Sequence, residues 1–200
     1  MVSSPSKFCP GISSLWRGLS LKILNSSLCK IIKTKNHYAF KDSNEFLFSS
    51  ARSALSFIFY AFNISYGDEV IISSFTCEAV TNAVLASQSK PVYVDILDDL
   101  TMDNVSLFKA INKKTKAIIM QNTFGRLGLS KEIIEICKNK NILMIEDNCL
   151  SIGSELDGQL LGSFCPLSIW SLEVSKTFTI GWGGVLKVND DYLLSSLKKK

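Results

Sequence analysis

Short apolar segments alternate with longer amphipathic ones from about residue 48 onward, and this alternation restricts the possible folds most. Apolar segments of roughly four to six residues predict buried strands, whereas segments of roughly ten to twelve residues with helical periodicity predict helices. Strands that alternate with helices form α/β domains with a largely parallel sheet. We therefore expect an α/β domain whose ligand lies at the carboxyl ends of the strands.

The predicted elements can be quoted directly from the sequence. The expected helices are ARSALSFIFYAFNI, CEAVTNAVLAS, NVSLFKAINKK and SKEIIEICKNKN. The expected strands lie in GDEVIISS, KPVYVDI, TKAIIMQNTFG, ILMIEDN, LSIWSL and GGVLKVND. Residues 1–47 are irregular in pattern and are treated as an N-terminal segment, with the domain itself at residues 48–200.

Composition excludes several functional classes. The chain has 200 residues, 46% of them hydrophobic and 20% charged, which is typical of a globular domain. A net charge of +4 does not indicate nucleic-acid binding, and no apolar run is long enough to span a membrane. Six scattered cysteines and a single histidine predict reduced thiols, no metal site and a cytoplasmic protein without a signal peptide.

Two common nucleotide-binding motifs are absent. The letters SKT at 175–177 resemble the end of a phosphate-binding Walker loop, but the five preceding residues, SLEVS, contain no glycine. The glycines of GWGG at 181–184 lead into a strand rather than a helix, so they do not form the dinucleotide-binding fingerprint. The ligand at the sheet edge must therefore be of another kind.

Lys176 stands out because it lies between a buried strand and a glycine turn, in SLEVSKTFTIGWGG. One interpretation is a surface lysine whose apolar stem covers the loop while its ammonium group stays in water. The other is a reactive amine, since partial removal from water lowers the pKa of a lysine and makes it a nucleophile.

A pyridoxal phosphate (PLP) site would require such an amine, together with a carboxylate for the pyridine nitrogen and a helix N-terminus for the phosphate. Asp147, at the end of ILMIED, is the candidate carboxylate, although a turn or cap residue would look the same. Ser49 and Ser50 precede a helix and offer hydroxyl groups near its free amides. Ser171 and Ser175 flank the lysine.

At this point the chain resembles the DegT/StrS family of PLP-dependent sugar aminotransferases, which have the aspartate aminotransferase fold, type I. The resemblance covers residues 48–190 and is carried by GDEVIISSFTCEAVTNAV, KPVYVDI, KTKAIIMQNTFG, ILMIEDNCLSIG and SLEVSKTFTIGWGG. It implies a three-layer α/β/α large domain with a mainly parallel mixed sheet. The small C-terminal domain of the family would be missing from this chain.

The resemblance also implies roles for individual residues. Lys176 takes the position of the Schiff-base lysine, which also moves the proton during transfer, and Asp147 that of the partner of the pyridine nitrogen. Ala51, Arg52 and Ser171 take the positions that hold the phosphate. By the same resemblance the cofactor is PLP, the amino donor is glutamate, the acceptor is a nucleotide-linked keto-sugar and the protein is a homodimer.

Three positions depart from the family pattern. Leu150 stands where the family usually has Gln or His near the phenolic oxygen of the cofactor. Cys77 replaces an aromatic residue that often stacks on the ring, and Asn122 stands where His is frequent. Two alternatives to an aminotransferase therefore remain open. One is a truncated or non-catalytic paralogue that keeps the fold, and the other is a different PLP-dependent reaction on a sugar.

Overall fold

The computed structural model describes residues 44–198, which form nine strands and five α-helices in chain order. The strands are β1 (Glu45–Phe48), β2 (Glu69–Ser73), β3 (Lys90–Val94), β4 (Thr115–Gln121), β5 (Leu143–Asp147), β6 (Glu155–Leu156), β7 (Gln159–Leu160), β8 (Leu167–Ser171) and β9 (Gly184–Val188). The helices are α1 (Ala51–Ala61), α2 (Glu78–Ala86), α3 (Asn104–Ala110), α4 (Lys131–Lys140) and α5 (Asp191–Leu197). A 3-10 turn, Thr123–Gly125, follows β4. Within this part of the chain, every helix is too short or too polar to cross a membrane.

Side chains cap the N-termini of the helices where the sequence offers Ser or Asp. Ser50 accepts a hydrogen bond from the amide of Ser53 at the start of α1, and Ser130 does the same for α4. Asp103 and Asp190 cap α3 and α5. Because these bonds satisfy amides that have no partner inside the helix, they fix where each helix begins.

Helix α3 is shorter than its sequence pattern suggested. The pattern NVSLFKAINKK predicted a helix up to Lys114, but α3 ends at Ala110. The side chain of Asn112 accepts a hydrogen bond from the amide of Lys114 at 2.8 Å, and the hydroxyl of Thr115 accepts one from the amide of Asn112 at 3.0 Å. These local bonds form a turn that competes with the helix.

The main sheet has seven strands in the order β1-β9-β8-β5-β4-β2-β3. Strands β3, β2, β4, β5 and β8 are mutually parallel, and β9 is antiparallel to both of its neighbours, β8 and β1. Six of the seven strands therefore point the same way. This arrangement confirms the predicted mainly parallel mixed sheet.

Helices cover both faces of the sheet. Val70, Ile72 and Ile145 belong to the core that includes residues of α1, α2 and α5. The intervening residues Ile71 and Met144 belong to a second core, which includes residues of α3 and α4. Since successive side chains of a strand point to opposite faces, the two cores lie on opposite sides of the sheet. The described part of the chain is thus a three-layer α/β/α domain, as predicted.

Two small elements were not predicted from the sequence. Strand β1 pairs with β9, so the boundary expected at residue 48 falls inside a strand of the sheet. Apart from residues 44–47, the predicted N-terminal segment lies outside the described residues. Strands β6 and β7 form a hairpin whose turn residues, Asp157 and Gly158, have φ values of 52° and 78°.

Gly184, the first residue of β9, lies directly against the start of α1. It pairs with Phe48 of β1 and with Ser171 of β8. A Cβ atom on Gly184 would lie 2.2 Å from the carbonyl carbon of Ser50 and 2.3 Å from the nitrogen of Ala51. The close approach of α1 to the sheet therefore depends on a residue without a side chain.

Replacing Gly184 with Ala should consequently destabilise the protein by about 3 kcal/mol or more, because the backbone of Ser50 and Ala51 would have to move. The control is Gly67→Ala, where φ is 91° and no atom lies within 4 Å of the added carbon. That substitution should lower the free energy of unfolding only by the strain of an alanine at positive φ, about 1–2 kcal/mol. Urea unfolding of both variants measures the difference, and equal losses would contradict the packing argument.

A second prediction concerns acid stability at the opposite edge of the sheet. The buried Glu69 accepts hydrogen bonds from Asn112 Nδ2 at 2.7 Å and from Lys90 Nζ at 3.2 Å. The bond from Asn112 is the largest cause that lowers the pKa of Glu69, partly opposed by burial and assisted by Lys90. A carboxylate with a lowered pKa stabilises the fold above its unfolded pKa, about 4.3, and that stabilisation is lost as the pH falls through the folded pKa.

Glu69→Gln should therefore be less stable than the parent at neutral pH, by about 1.5 kcal/mol. The difference should shrink towards pH 3, because protonation removes the same charge from the parent. Glu155→Gln, which removes the same charge at an exposed position, is the control and should match the stability of the parent at neutral pH. Thermal unfolding at several pH values gives the comparison, and a gap that is constant with pH would refute the assignment.

Candidate active site

The loops that follow the parallel strands all lie at one edge of the sheet. This carboxyl edge gathers residues 49–50 after β1, 74–77 after β2, 122–125 after β4, 148–151 after β5 and 172–183 after β8. Gly184, the first residue of the antiparallel β9, lies at the same edge. All of the sequence-predicted site residues fall in these loops, at the strand ends or at the start of α1.

Asp147 and Lys176 lie close enough to interact electrostatically at this edge. Asp147 is 4% exposed, and its Oδ1 accepts a hydrogen bond from the amide of Cys149 at 2.9 Å. Burial raises the pKa of Asp147, while hydrogen bonding from Cys149 and the charge of Lys176 lower it. A buried carboxylate of this kind favours a nearby positive charge or a proton donor.

The loop that carries Lys176 is closed by hydrogen bonds to Leu172. The amide of Leu172 donates to the carbonyl of Gly183 at 2.9 Å, and its own carbonyl accepts from the amide of Ile180 at 3.1 Å. The hydroxyl of Thr179 donates to the same carbonyl at 3.0 Å. Lys176 is half-buried, and its amide donates to the carbonyl of Glu173 at 3.0 Å, so the lysine backbone lies in a defined turn.

Cys149 lies against the same carboxylate, and Cys77 lies within electrostatic reach of Cys149. The pKa of the Cys149 thiol is raised well above its ordinary value by burial first and then by the charge of Asp147. Lys176 lowers that pKa, and Cys77 also acts on it electrostatically. Cys77 itself is exposed and begins α2 without a side-chain capping bond. The structure thus brings the predicted Cys77, Asp147 and Lys176 together and adds Cys149, which sequence analysis missed.

The start of α1 forms the second part of the site. Ser50 already caps the amide of Ser53, and within residues 44–198 the amides of Ala51 and Arg52 donate no hydrogen bond. Ala51 is buried beside Gly184, and Arg52 is exposed. Ser171 pairs with Gly184 across β8 and β9, so Gly184 lies between Ser171 and the helix start. Free helix amides and a nearby hydroxyl are suited to an anion.

Gln121 is a second residue that sequence analysis missed. It pairs with Asp147 in the register of β4 and β5. Its Oε1 accepts from the hydroxyl of Thr76 at 2.6 Å, and its Nε2 donates to the carbonyl of Phe75 at 3.0 Å. These bonds tie the loop before Cys77 to the strand beside Asp147. The sequence does indicate such a role, because in MQNTFG the polar Gln121 stands at the end of an apolar strand.

Leu150 lies in the turn after Asp147 and is half-buried. A leucine side chain cannot hydrogen-bond a ligand, so any role it has at the site is that of an apolar wall. Its proximity to a cofactor oxygen stays a prediction.

Comparisons with known proteins show the family to which the chain belongs. Residues 38–199 match the model of the DegT/DnrJ/EryC1/StrS aminotransferase family. GDP-perosamine synthase of Escherichia coli O157:H7 is 32% identical over 173 residues, which are 81% of this chain and 48% of the relative. The chain spans about half the length, or less, of the first relatives that it matches.

Solved structures of aminotransferases also match the fold of this chain. NtdA from Bacillus subtilis, solved with bound PMP, matches 76% of this chain and 35% of its own with a TM-score of 0.67 and 29% identity. Helicobacter pylori PseC, an aminotransferase involved in the biosynthesis of pseudoaminic acid, matches 89% of this chain and 50% of its own with a TM-score of 0.68 and 26% identity. By its sequence and its fold, this chain belongs to the DegT/DnrJ/EryC1/StrS aminotransferase family.

Proposed function

We propose that the described residues, 44–198, belong to the cofactor-binding large domain of a PLP-dependent sugar aminotransferase. In this proposal the enzyme moves an amino group from glutamate to a keto group of a nucleotide-linked sugar. The observation that carries the proposal is that the half-buried Lys176 lies within electrostatic reach of the buried carboxylate of Asp147, at the carboxyl edge of a parallel sheet. Such edges are where α/β domains bind their ligands.

The chemistry of the donor groups fits PLP. When bound, PLP supplies an aldehyde that condenses with primary amines and a pyridinium ring that withdraws electrons from the attached carbon. Asp147 would accept the N–H of that ring, since a buried carboxylate that forms no ion pair within residues 44–198 gains much from a charged hydrogen-bond donor. Free amides of Ala51 and Arg52, with the hydroxyl of Ser171, would hold the phosphate.

Lys176 would act twice in this proposal. Its amine would hold the cofactor covalently, and the same amine would serve as the group that accepts and returns the proton at the substrate carbon. The bonds that close its loop on Leu172 limit the volume that the amine can explore, which favours both roles. Cys77 and Leu150 would line the ring where the family usually has larger or more polar side chains.

The substrate and the assembly are inferred from the relatives. GDP-perosamine synthase is named for a nucleotide-linked sugar, and a Saccharopolyspora spinosa relative, 29% identical over 161 residues, is named as an aminotransferase of a dTDP-linked keto-sugar. These names support a nucleotide-linked keto-sugar as acceptor. Glutamate as donor and a homodimer are proposed from the family resemblance, and a cytoplasmic location from the scattered cysteines. A non-catalytic paralogue and a different PLP-dependent sugar reaction are the alternatives that the experiments below separate.

The first test places the cofactor. Incubation with PLP should produce the visible absorbance of a protein-bound Schiff base, and borohydride reduction with peptide mapping should place a phosphopyridoxyl group on Lys176. Lys187→Arg is the control and should be labelled like the parent, whereas Lys176→Arg should lose the label. A label on another lysine, with Lys176 unmodified, would disprove the assignment. Absence of any label would disprove PLP binding by this chain.

The second test concerns Asp147 and the reaction. With glutamate, the loaded parent should complete the first half of amino transfer, seen as loss of the visible absorbance. Asp147→Asn should still link PLP but should slow this half-reaction by about a hundredfold or more, because the ring nitrogen loses its counter-ion; each factor of ten corresponds to about 1.4 kcal/mol of barrier. Equal rates would mean that Asp147 is only a turn residue.

A parent that binds PLP but does not react with glutamate would favour the non-catalytic alternative. A panel of nucleotide-linked keto-sugars, with the products identified by mass spectrometry, would then distinguish amino transfer from another reaction.

A further inference from the structure

Glu146, the neighbour of Asp147, is a fully buried carboxylate that only hydrogen-bond donors surround. Its Oε1 accepts from Asn122 Nδ2 at 2.8 Å and from the amide of Gly162 at 2.5 Å. Its Oε2 accepts from the amides of Phe164 and Cys165 at 3.0 and 3.2 Å, and from Ser168 Oγ at 3.4 Å. Among the described residues no lysine or arginine forms an ion pair with it. Such a group is tolerated in a protein interior only because donors replace its water.

The two adjacent carboxylates belong to opposite faces of the sheet. Met144, two residues before Glu146, lies in the core beneath α3 and α4, whereas Ile145, two residues before Asp147, lies in the core beneath α1 and α2. Because side chains alternate along a strand, Glu146 points away from the candidate active site. Glu146 therefore cannot touch the reacting groups and can act only through other residues.

Asn122 links Glu146 to the backbone of Asp147. Its Nδ2 donates to Glu146 Oε1 and also to Asn148 Oδ1 at 2.7 Å, and its own amide donates to the carbonyl of Asp147 at 2.9 Å. The hydroxyl of Ser151 donates to the carbonyl of Asn122. Asn122 therefore holds the backbone of Asp147 and the side chain of the following residue.

The opposite side of β5 is held in the same way. Glu146 binds the loop that leads into β8 through the amides of Gly162, Phe164 and Cys165, and the amide of Asn148 donates to the carbonyl of Ile169 in β8 at 2.9 Å. The carboxylate thus joins β4, β5 and β8 just where β5 ends. The turn after β5 in turn supplies the Cys149 amide that binds Asp147 Oδ1.

We propose that Glu146 is a positioning residue for the reaction: as an acceptor for five donors, it fixes the end of β5 so that Asp147 faces Lys176. This inference rests on the proposed function for its catalytic consequence. All five contacts are donors, so a neutral glutamine would bring its NH₂ group against at least two other donors. Glu146→Gln keeps the size of the side chain but replaces one of its two acceptor oxygens with an NH₂ donor.

The experiment first uses the protein without PLP. Hydrogen exchange of the amides of Asn148 and Cys149 should be about tenfold faster or more in Glu146→Gln, because a hydrogen bond to a charged group is lost. Amides of β2 should change much less. Ser163→Ala is the matched control: this serine bonds Leu160 and Gln159 in the same loop without contacting Glu146, so exchange at Asn148 and Cys149 should match the parent. Uniform acceleration across the sheet would show a purely structural role and overturn the proposal.

The second measurement uses PLP. Glu146→Gln should bind PLP up to about tenfold more weakly than the parent. It should also shift the pH midpoint of the visible absorbance. Ser163→Ala should match the parent in both measurements. A folded Glu146→Gln protein with parental exchange, affinity and midpoint would overturn the proposal. A parent that binds no PLP would defeat the proposed function, while the exchange data would still decide whether Glu146 positions Asp147.

A second variant covers the possibility that Glu146→Gln does not fold. Asn122→Ala keeps four of the five donors of Glu146 and removes the side-chain link to Asn148. It should accelerate exchange at Asn148 and Cys149 selectively and weaken PLP binding in the same direction. Parental behaviour of Asn122→Ala in both measurements would overturn the proposal.

Discussion

Strand β5 has a parallel neighbour on each side, and the registers of these pairings place Asp147 beside Gln121 of β4 and Ile169 of β8. A strand in this position must satisfy its backbone groups on both sides, so its end cannot shift without breaking two ladders. The rest of the site depends on this constraint. The loop with Lys176 begins one strand away from Asp147, and the loop with Cys77 is tied back to Gln121.

The two neighbouring carboxylates illustrate how one strand end serves two purposes. The Glu146 carboxylate accepts hydrogen bonds from five donors of the protein, so it has little capacity left to accept one from a ligand. Asp147 has the Cys149 amide on Oδ1 and a cation within electrostatic reach, and burial raises its pKa. Asp147 thus keeps acceptor capacity for a ligand on the face that carries Lys176. Buried polar groups that are incompletely satisfied are where a ligand gains most.

Much of this fold follows from the sequence, and the reasons for the misses are physical. Apolar runs of strand length alternating with amphipathic helices were sufficient to predict the three layers, because burial on both sheet faces requires that pattern. Strand β1 was missed because its half-buried residues look like the irregular segment before it. The β6–β7 hairpin was missed although Asp157–Gly158 is a strong turn signal, since its two-residue strands are mostly exposed and show no periodicity. The end of α3 depends on the turn around Asn112, which periodicity does not report.

The candidate site could be predicted only in part. Lys176 and Asp147 were selected by their order along the chain, and the structure places them within electrostatic reach. The contributions of Gln121, Cys149 and Glu146 depend on which strands are neighbours and on how the turns fold back. Neither property can be read from residue types alone. The assignments of Ala51, Arg52, Ser171 and Leu150 to particular cofactor atoms stay predictions.

The pairing of β1 with β9 has a consequence for how the chain folds. Glu45 pairs with Lys187, near opposite ends of the described residues, and β1 has no other partner in the sheet. Bringing together residues so distant along the chain costs a large loop-closure entropy before their contacts stabilise the fold. This cost slows folding. During synthesis β1 leaves the ribosome before β9, so the pairing of these two strands can form only after β9 has been made. Since Gly184 lies in β9, the close contact between this glycine and the start of α1 can form only once β9 has joined the sheet.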